Sequence, residues 1–372
     1  MRAIVVGAGI GGLAAAHAVA RAGGDAVVLE RASEPRREGF GLVLQPNAVQ
    51  SLAALGLRDD VVARGVRVAA AEVRTARGEL LFEVPYAELG WETVGILRGE
   101  LQSVLVAAVP EGAIRFGREC VGVEQDDASV VAIVAGGGRE RGDLLVGADG
   151  IRSVVRSAAV DPSPPRYAGQ RAWRASARGD FGVDRFVEFW GIGGGFGFGP
   201  AGQGVVYWYC FERVAEGSPP PEDLLAEFRR RYGDWPSPIA DLIGATDPAE
   251  VHETFTYDRP PSRRWGDGRV TLLGDAAHAM KPNLGQGAAQ ALEDAAVLGE
   301  ALADASDPVA GLRGYEQRRM RRANGVVRAS RQAASMAELS HPVAARGRDL
   351  LLRALPDRIL LARQRKLVTI EG

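Results

Sequence analysis

The chain has 372 residues, of which 46% are hydrophobic and 25% charged, and its formal net charge is −2. That length fits one large domain or two closely joined ones, and the balanced charge excludes bulk attraction to nucleic acid or to anionic membranes. Two cysteines, Cys120 and Cys210, and four histidines form no metal-ligand spacing, so no metal site is expected and a reducing, cytoplasmic setting is the simplest reading.

The predicted elements begin as strand, glycine turn, helix, strand. Residues 3–6 are a β-branched run suited to a buried parallel strand. Residues 10–22 are rich in Ala and Leu, Gly23-Gly24-Asp25 stops the helix, and 26–29 form the next strand. The same apolar stretch resembles a secretory signal, but its spaced glycines, His17 and the following strand favour a βαβ start. Next come a helix over 47–55 ended by Gly56, irregular β structure over 66–95, and a helix over 100–108. Strands and turns fill 113–146. A buried-strand pattern at 143–148 ends in Asp149-Gly150, and a helix over 151–158 is expected to begin at once.

The proline-rich residues 161–165 mark a boundary. Residues 166–256 crowd Trp, Tyr, Phe and Gly into strand-like runs such as 205–211, and read as an inserted sheet. Beyond Pro260-Pro261 the chain returns to strand (269–273), turn (Gly274-Asp275) and helix (286–302), then stays helical and Arg-rich. The arginines at 313, 318, 319, 321, 322, 328 and 331 read as a solvated helix surface. No run suits a transmembrane helix, so no integral membrane association is expected.

Three segments carry chemistry. The first, Gly7-Ala8-Gly9-Ile10-Gly11-Gly12, fits GxGxxG. Gly7 permits the turn, Gly9 admits a pyrophosphate, Gly12 allows close helix–strand packing, and the helix start offers free amides. Glu30, at the end of the second strand, suits ribose hydroxyls. This segment alone leaves NAD and FAD open. In the second segment, 144–156, a strand delivers Asp149 beside Gly150, with Ser153 and Arg156 beyond. In the third, 268–287, a strand delivers Asp275 beside Gly274, and a loop with Pro282 and Gly285 leads to another helix start. Either acid alone also reads as a helix cap.

In this order the three segments resemble those of the single-component FAD-dependent aromatic hydroxylases, the p-hydroxybenzoate hydroxylase fold group, over nearly the whole chain. The resemblance implies an α/β fold: a Rossmann-like FAD-binding domain with an inserted, mainly antiparallel β-sheet substrate domain and C-terminal helices. The corresponding boundaries are 1–70, 96–165 and 257–330 for FAD, 71–95 and 166–256 for substrate, and 331–372 for helices bracing the two.

It further implies that Glu30, with Arg31 beside it, meets the adenosine ribose, and that Asp275, after Gly274, binds the ribityl chain. Arg36 (with Gly39 and Gly41) and Arg98 are implied to contact FAD. Leu284, Gly285, Gln286 and Gly287 are implied to face the flavin's pyrimidine edge, and Pro282 its reactive edge. Asp149 is implied to serve both FAD binding and use of NADH or NADPH, while His278 is a candidate for catalysis or for packing near FAD. The implied reaction reduces FAD with NAD(P)H, forms a flavin hydroperoxide with dioxygen, and transfers one oxygen to a small aromatic or otherwise electron-rich substrate.

The substrate side is less sharply drawn. Alternation puts Tyr207 and Tyr209 on one face and Trp208 on the other; with Trp190 the two tyrosines are candidates for the pocket wall. Gly193-Gly194-Gly195 reads either as room for a larger substrate or as a turn. Residues 281–287 supply no general base, and Asn283 followed by Leu-Gly-Gln-Gly resembles the epoxidase branch. The halogenase tryptophan segment is not matched by Trp173 and its neighbours. A non-oxygenating reductase or dehydrogenase, or a non-catalytic flavin-binding protein, is the alternative, and the chain is expected to act as a monomer or homodimer.

Overall fold

The computed structural model describes residues 1–35 and 40–370. Its first sheet has six strands in the order Gly266–Asp267, Val270–Leu272, Leu144–Gly147, Arg2–Val6, Asp25–Leu29 and Ile114–Arg115. All neighbours run parallel except the edge strand Gly266–Asp267. Apart from Arg2, Asp25 and Thr271 the central strands are apolar, because helices cover the sheet, so alternation is lost. The topology has one consequence for function. Strands Arg2–Val6, Leu144–Gly147 and Val270–Leu272 are adjacent and point the same way. Their carboxyl ends therefore deliver Gly7, Asp149 and Gly274-Asp275 to one edge of the sheet, where ligands of open α/β sheets bind.

Helix Ile10–Arg21 leaves that edge and packs on helix Gly287–Asp304. The contact is close because small residues meet: a Cβ on Gly299 would stand 3.0 Å from the Ala18 Cβ.

The larger sheet has seven strands, ordered His252–Asp258, Arg166–Arg178, Val205–Arg213, Gly194–Gly202, Phe186–Trp190, Ala70–Thr75 and Leu80–Pro85. Every pair is antiparallel except Phe186–Trp190 with Ala70–Thr75. One face buries Trp173, Phe189, Phe196 and Trp208 against helices Leu224–Tyr232 and Ile239–Gly244. Each large aromatic so buried contributes roughly 1.5–3 kcal/mol. Trp208 also donates its indole N–H to Thr246 Oγ1 at 2.9 Å.

The opposite face carries Arg174, Glu188, Trp190, Tyr207 and Tyr209. It meets strands Gly41–Leu44 and Val94–Leu97 of a small three-stranded sheet. Glycine is required at that junction: a Cβ on Gly95 would lie 1.8 Å from the Pro200 carbonyl oxygen, and one on Gly41 would lie 2.4 Å from the Tyr207 Cβ.

Three helices, Pro308–Ala337, Pro342–Ala354 and Asp357–Val368, close the chain. Among the described residues, no helix is long and apolar enough to cross a membrane.

Several local expectations shift. The helix after Asp149-Gly150 spans Val154–Ala159, capped by Ser153 Oγ accepting from the Arg156 amide at 2.8 Å. Residues 151 and 152 form a turn, because Gly150 at φ +81° turns the chain first. Asp275–His278 forms a short helix where only a loop was expected. The glycine run at 193–195 is not free space: Gly193 turns the chain, and Gly194 and Gly195 open strand Gly194–Gly202. Gly193 has φ +74°, the Gly191 amide donates to the Gly194 oxygen at 2.9 Å, and a Cβ on Gly195 would sit 2.8 Å from the Phe211 ring.

Candidate cofactor and substrate site

The glycine turn separates two duties by geometry. A Cβ on Gly12 would lie 1.9 Å from the Gly7 oxygen, and one on Gly7 would lie 2.5 Å from the Ala148 oxygen, so both are packing glycines. A Cβ on Gly9 would meet nothing within 4 Å. Gly9 thus lines an open cradle, and no side chain caps the helix that starts there. Its first amides and positive dipole end suit a phosphate anion.

Glu30 closes one side of the cradle. Its carboxylate accepts from the Ala8 amide at 2.7 Å and from the Ala32 amide at 2.9 Å. Each oxygen keeps a second lone pair for a ribose hydroxyl. Arg31 is exposed beside it. Arg36 and Gly39 lie outside the described residues. Arg98 starts the helix Arg98–Ala108, and its amide donates to the Phe40 oxygen at 3.1 Å.

Asp149 behaves both as the predicted cap and as something more. One carboxylate oxygen accepts from the Val154 and Val155 amides at 2.7 and 3.2 Å, while the other is buried with no partner. Burial pushes this carboxyl up, against opposing hydrogen bonds from Ser153 and the following amides. An orphaned buried acceptor at the mouth of a cradle is a natural contact for a ligand donor. Arg156, buried in the next helix, donates to the carbonyl oxygens of Ala276 and Ala277 at 3.0 and 3.3 Å, which ties the second segment to the third.

In the third segment Gly274 adopts φ +62°, and the side chain of Asp275 is exposed at the first position of its short helix. His278 is buried instead. Its Nε2 lies 2.6 Å from Asp294 Oδ2, the oxygen that also accepts the Gly274 amide at 2.9 Å, and its ring lies against Trp265. Burial alone would raise the Asp294 carboxyl, but the neighbouring His278 and Arg319 hold it down at about 2.

Pro282–Leu284 is a single 3₁₀ turn, with Pro282 exposed and Leu284 half-buried. Gly285 at φ +62° then leads to Gln286 and Gly287 at the start of helix Gly287–Asp304, which has no side-chain cap. A Cβ on Gly287 would again meet nothing within 4 Å. The Leu284 oxygen accepts from Gln45 Nε2 at 2.8 Å, and Asn283 Oδ1 is buried without a partner.

Gln45 follows strand Gly41–Leu44, whose first residue packs on Tyr207. The aromatic face therefore stands next to the cradle. There Tyr207 stacks on Phe40 (5.8 Å between ring centroids) and on Tyr209 (5.9 Å), and the Arg174 guanidinium lies 5.2 Å from the Phe40 ring centre. Both tyrosines are half-buried. Trp190 is buried, donating to Glu188 Oε1 at 2.6 Å. Among the described residues, no cluster of three or more His, Cys, Asp or Glu could hold a metal ion.

Residues 1–330 match the FAD binding domain family. The chain is 36% identical over 369 residues to the aurachin C monooxygenase/isomerase of Stigmatella aurantiaca, covering 98% of this chain and 96% of that one. It is 37% identical over 377 residues to the 3-amino-4-hydroxybenzoate 2-monooxygenase of Streptomyces cremeus, covering 97% and 94%. The crystal structure of Klebsiella pneumoniae HpxO complexed with FAD and uric acid superposes with a TM-score of 0.92 at 30% identity, covering 99% of this chain and 96% of that one.

The chain belongs to the single-component FAD-dependent aromatic hydroxylases. The open cradle at Gly9, the orphaned Asp149 oxygen and two uncapped helix starts fit the FAD that this hydroxylase family carries.

What sequence reading missed in this hydroxylase fold is the scaffold beneath the cradle. Gln102 Nε2 donates to the Ala8 oxygen at 3.2 Å. Asn47 bridges Gln286 and Glu293, and Gln290 donates to Glu293. Arg319 pairs with Asp294 at 2.8 Å and Glu293 at 2.5 Å, and Arg322 with Glu293 at 2.6 Å. The solvated-surface reading of the arginines fails here: Arg319 is 2% exposed. One signal was available. Gln286, Gln290, Glu293 and Asp294 recur at helical spacing on a face that also holds Ala and Leu, which a solvent-facing stripe does not require.

Proposed function

We propose that the protein is an FAD-dependent monooxygenase. In this reading it uses NADH or NADPH and dioxygen to hydroxylate or epoxidise a small aromatic or otherwise electron-rich organic compound. The observation carrying this reading is the proximity of an FAD cradle to a half-buried aromatic face, joined by strand Gly41–Leu44, which runs into Gln45. The monooxygenase relatives support the same chemistry. Residues 1–70, 96–165 and 257–330 would hold the cofactor, 71–95 and 166–256 the substrate, and 331–372 would brace them.

Bound FAD would supply the redox chemistry, accepting a hydride and activating dioxygen. The chain's own part is positional. Amides at the Ile10 and Gly287 helix starts offer positive ends to the pyrophosphate and to the flavin's pyrimidine edge. Glu30 and Asp275 take hydroxyls of the ribose and the ribityl chain. Asp149 offers its free oxygen to the cofactor, and Pro282 borders the reacting edge. Tyr207, Tyr209 and Trp190 wall the substrate and exclude water. The buried, unpaired cysteines accord with a cytoplasmic protein.

The test is direct. The purified protein is expected to be yellow and to oxidise NADH or NADPH under air. One member of an aromatic panel should accelerate that oxidation and gain one oxygen atom by mass. Accelerated oxidation with no oxygen in any product would replace this reading with a reductase or dehydrogenase.

A further inference from the structure

The sequence names no general base, yet the sheet face opposite the cradle holds a buried acid. Glu188 lies on strand Phe186–Trp190 and is 6% exposed. Its Oε1 accepts from Trp190 Nε1 at 2.6 Å, and its Oε2 accepts from the Tyr209 hydroxyl. The two residues are not on neighbouring strands. Glu188 pairs with Gly197, and Gly197 pairs with Tyr209 on the strand beyond. Tyr209 reaches Glu188 only by lying flat across Gly197, where a Cβ would stand 2.6 Å from its hydroxyl oxygen.

We infer that Tyr209 and Glu188 form the proton-accepting pair of the substrate chamber, and that the substrate carries an acidic phenolic O–H or ring N–H directed at Tyr209. The inference deepens the monooxygenase reading and rests on its placement of the substrate against this face. The step balances without a co-reactant. The substrate proton passes to Tyr209 Oη as the tyrosine's own proton moves to Glu188 Oε2. The electron pair stays on the substrate oxygen or nitrogen, so the carboxylate is neutralised and the ring becomes the electron-rich anion. Tyr209 would touch the substrate; Glu188 acts through it as a positioning residue.

Three observations carry this. First, both donors to Glu188 are neutral groups, whereas the buried Glu293 sits between two arginines. A buried carboxyl without a cation is the arrangement of an acid–base site rather than of a structural pair. Second, the charged groups around it face its partners. Arg174, from strand Arg166–Arg178, faces Tyr207 and Tyr209, and Arg348, from helix Pro342–Ala354, lies over the Trp190 ring at 5.0 Å. Strand Gly194–Gly202 presents only Gly197 here, and Ala70–Thr75 pairs Val73 with Glu188. Third, burial pushes the Glu188 carboxyl up, making it a stronger base than an exposed carboxylate, and burial with the Glu188 charge pushes Tyr209 well up, so the tyrosine relays a proton rather than ionising alone.

The test titrates the FAD-loaded protein with 4-nitrophenol, whose phenolate is yellow, while a pH indicator counts released protons. The wild type is expected to bind the probe as phenolate with no proton released, because Glu188 retains it. In Glu188→Gln the bound phenolate fraction should fall at least tenfold, and any phenolate that remains should release its proton. Tyr209→Phe should show the same loss. 4-Nitroanisole has no acidic proton and should bind all three alike, which reports an intact chamber. An unchanged phenolate band and proton count in Glu188→Gln would overturn the inference, as would failure of the wild type to bind 4-nitrophenol. Failure of the monooxygenase reading shows separately, as NAD(P)H oxidation that puts no oxygen into any product.

Discussion

Arg156 places its Nη1 3.0 Å from the Ala276 carbonyl oxygen, so a side chain of the second segment holds the backbone of the third. The two acids Asp149 and Asp275 are thereby fixed relative to each other by a contact that neither makes. Arg156→Met keeps the bulk and removes the donors. It should leave two buried carbonyls unpaired, at about 1–3 kcal/mol each. The expected outcome is a lower Tm together with FAD affinity weakened roughly tenfold or more, read by thermal denaturation and by flavin fluorescence titration. A lower Tm with unchanged affinity would mean that the bridge only supports the fold.

Asp275 offers the opposite contrast. Its side chain is exposed and makes no capping bond in its helix. Asp275→Ala should therefore leave the Tm of the FAD-free protein nearly unchanged while weakening FAD by about 1.5–3 kcal/mol for each charge-assisted bond lost. Full FAD occupancy in the variant would remove Asp275 from the cofactor site.

The glycine turn yields a paired comparison. Gly9→Ala adds a methyl into open space and should fold normally with reduced FAD binding. Gly12→Ala drives a methyl to 1.9 Å from the Gly7 oxygen and should fail to accumulate as folded protein. Equal FAD affinity in Gly9→Ala and wild type would place the pyrophosphate elsewhere.

Asp294 sets an acid limit. A carboxyl held at about 2 in the fold and near 3.9 when unfolded contributes stability that is present above the unfolded value. That stability is lost as pH falls through the folded one, and is on the order of 2–3 kcal/mol. The Tm should thus drop between about pH 4 and 2. Asp294→Asn should flatten that slope and cost about 3–5 kcal/mol at neutral pH, because Arg319 would lose a buried partner. A slope as steep in the variant as in the wild type would assign acid sensitivity to other carboxyls.

Much of this architecture was legible in the chain. Gly7, Glu30, Asp149 and Asp275 announce themselves because a turn after a buried strand needs particular residues at particular offsets, and those offsets are local. The alternation of Tyr207, Trp208 and Tyr209 was legible for the same reason. Long-range pairing was not. Nothing near Arg319 in sequence says that Asp294 and Glu293 will neutralise it, so a buried ion cluster read as a wet surface. Glu188 escaped notice because its meaning depends on Tyr209, two strands away, and on the absence of a side chain between them. The late start of the helix after Gly150 escaped because one positive-φ glycine inserts a turn that a strand–helix pattern does not record.

On strand Gly194–Gly202, Gly195, Gly197 and Gly199 each leave a space filled by a ring, of Phe211, Tyr209 and Phe186 respectively. The aromatic face is consequently contoured from behind, by positions that carry no side chain. A methyl at Gly197 or Gly199 would meet a ring first, whereas one at Gly195 would also stand 2.5 Å from the Phe189 carbonyl oxygen. Bulk added at Gly197 or Gly199 would therefore reshape this face while every aromatic residue stays the same.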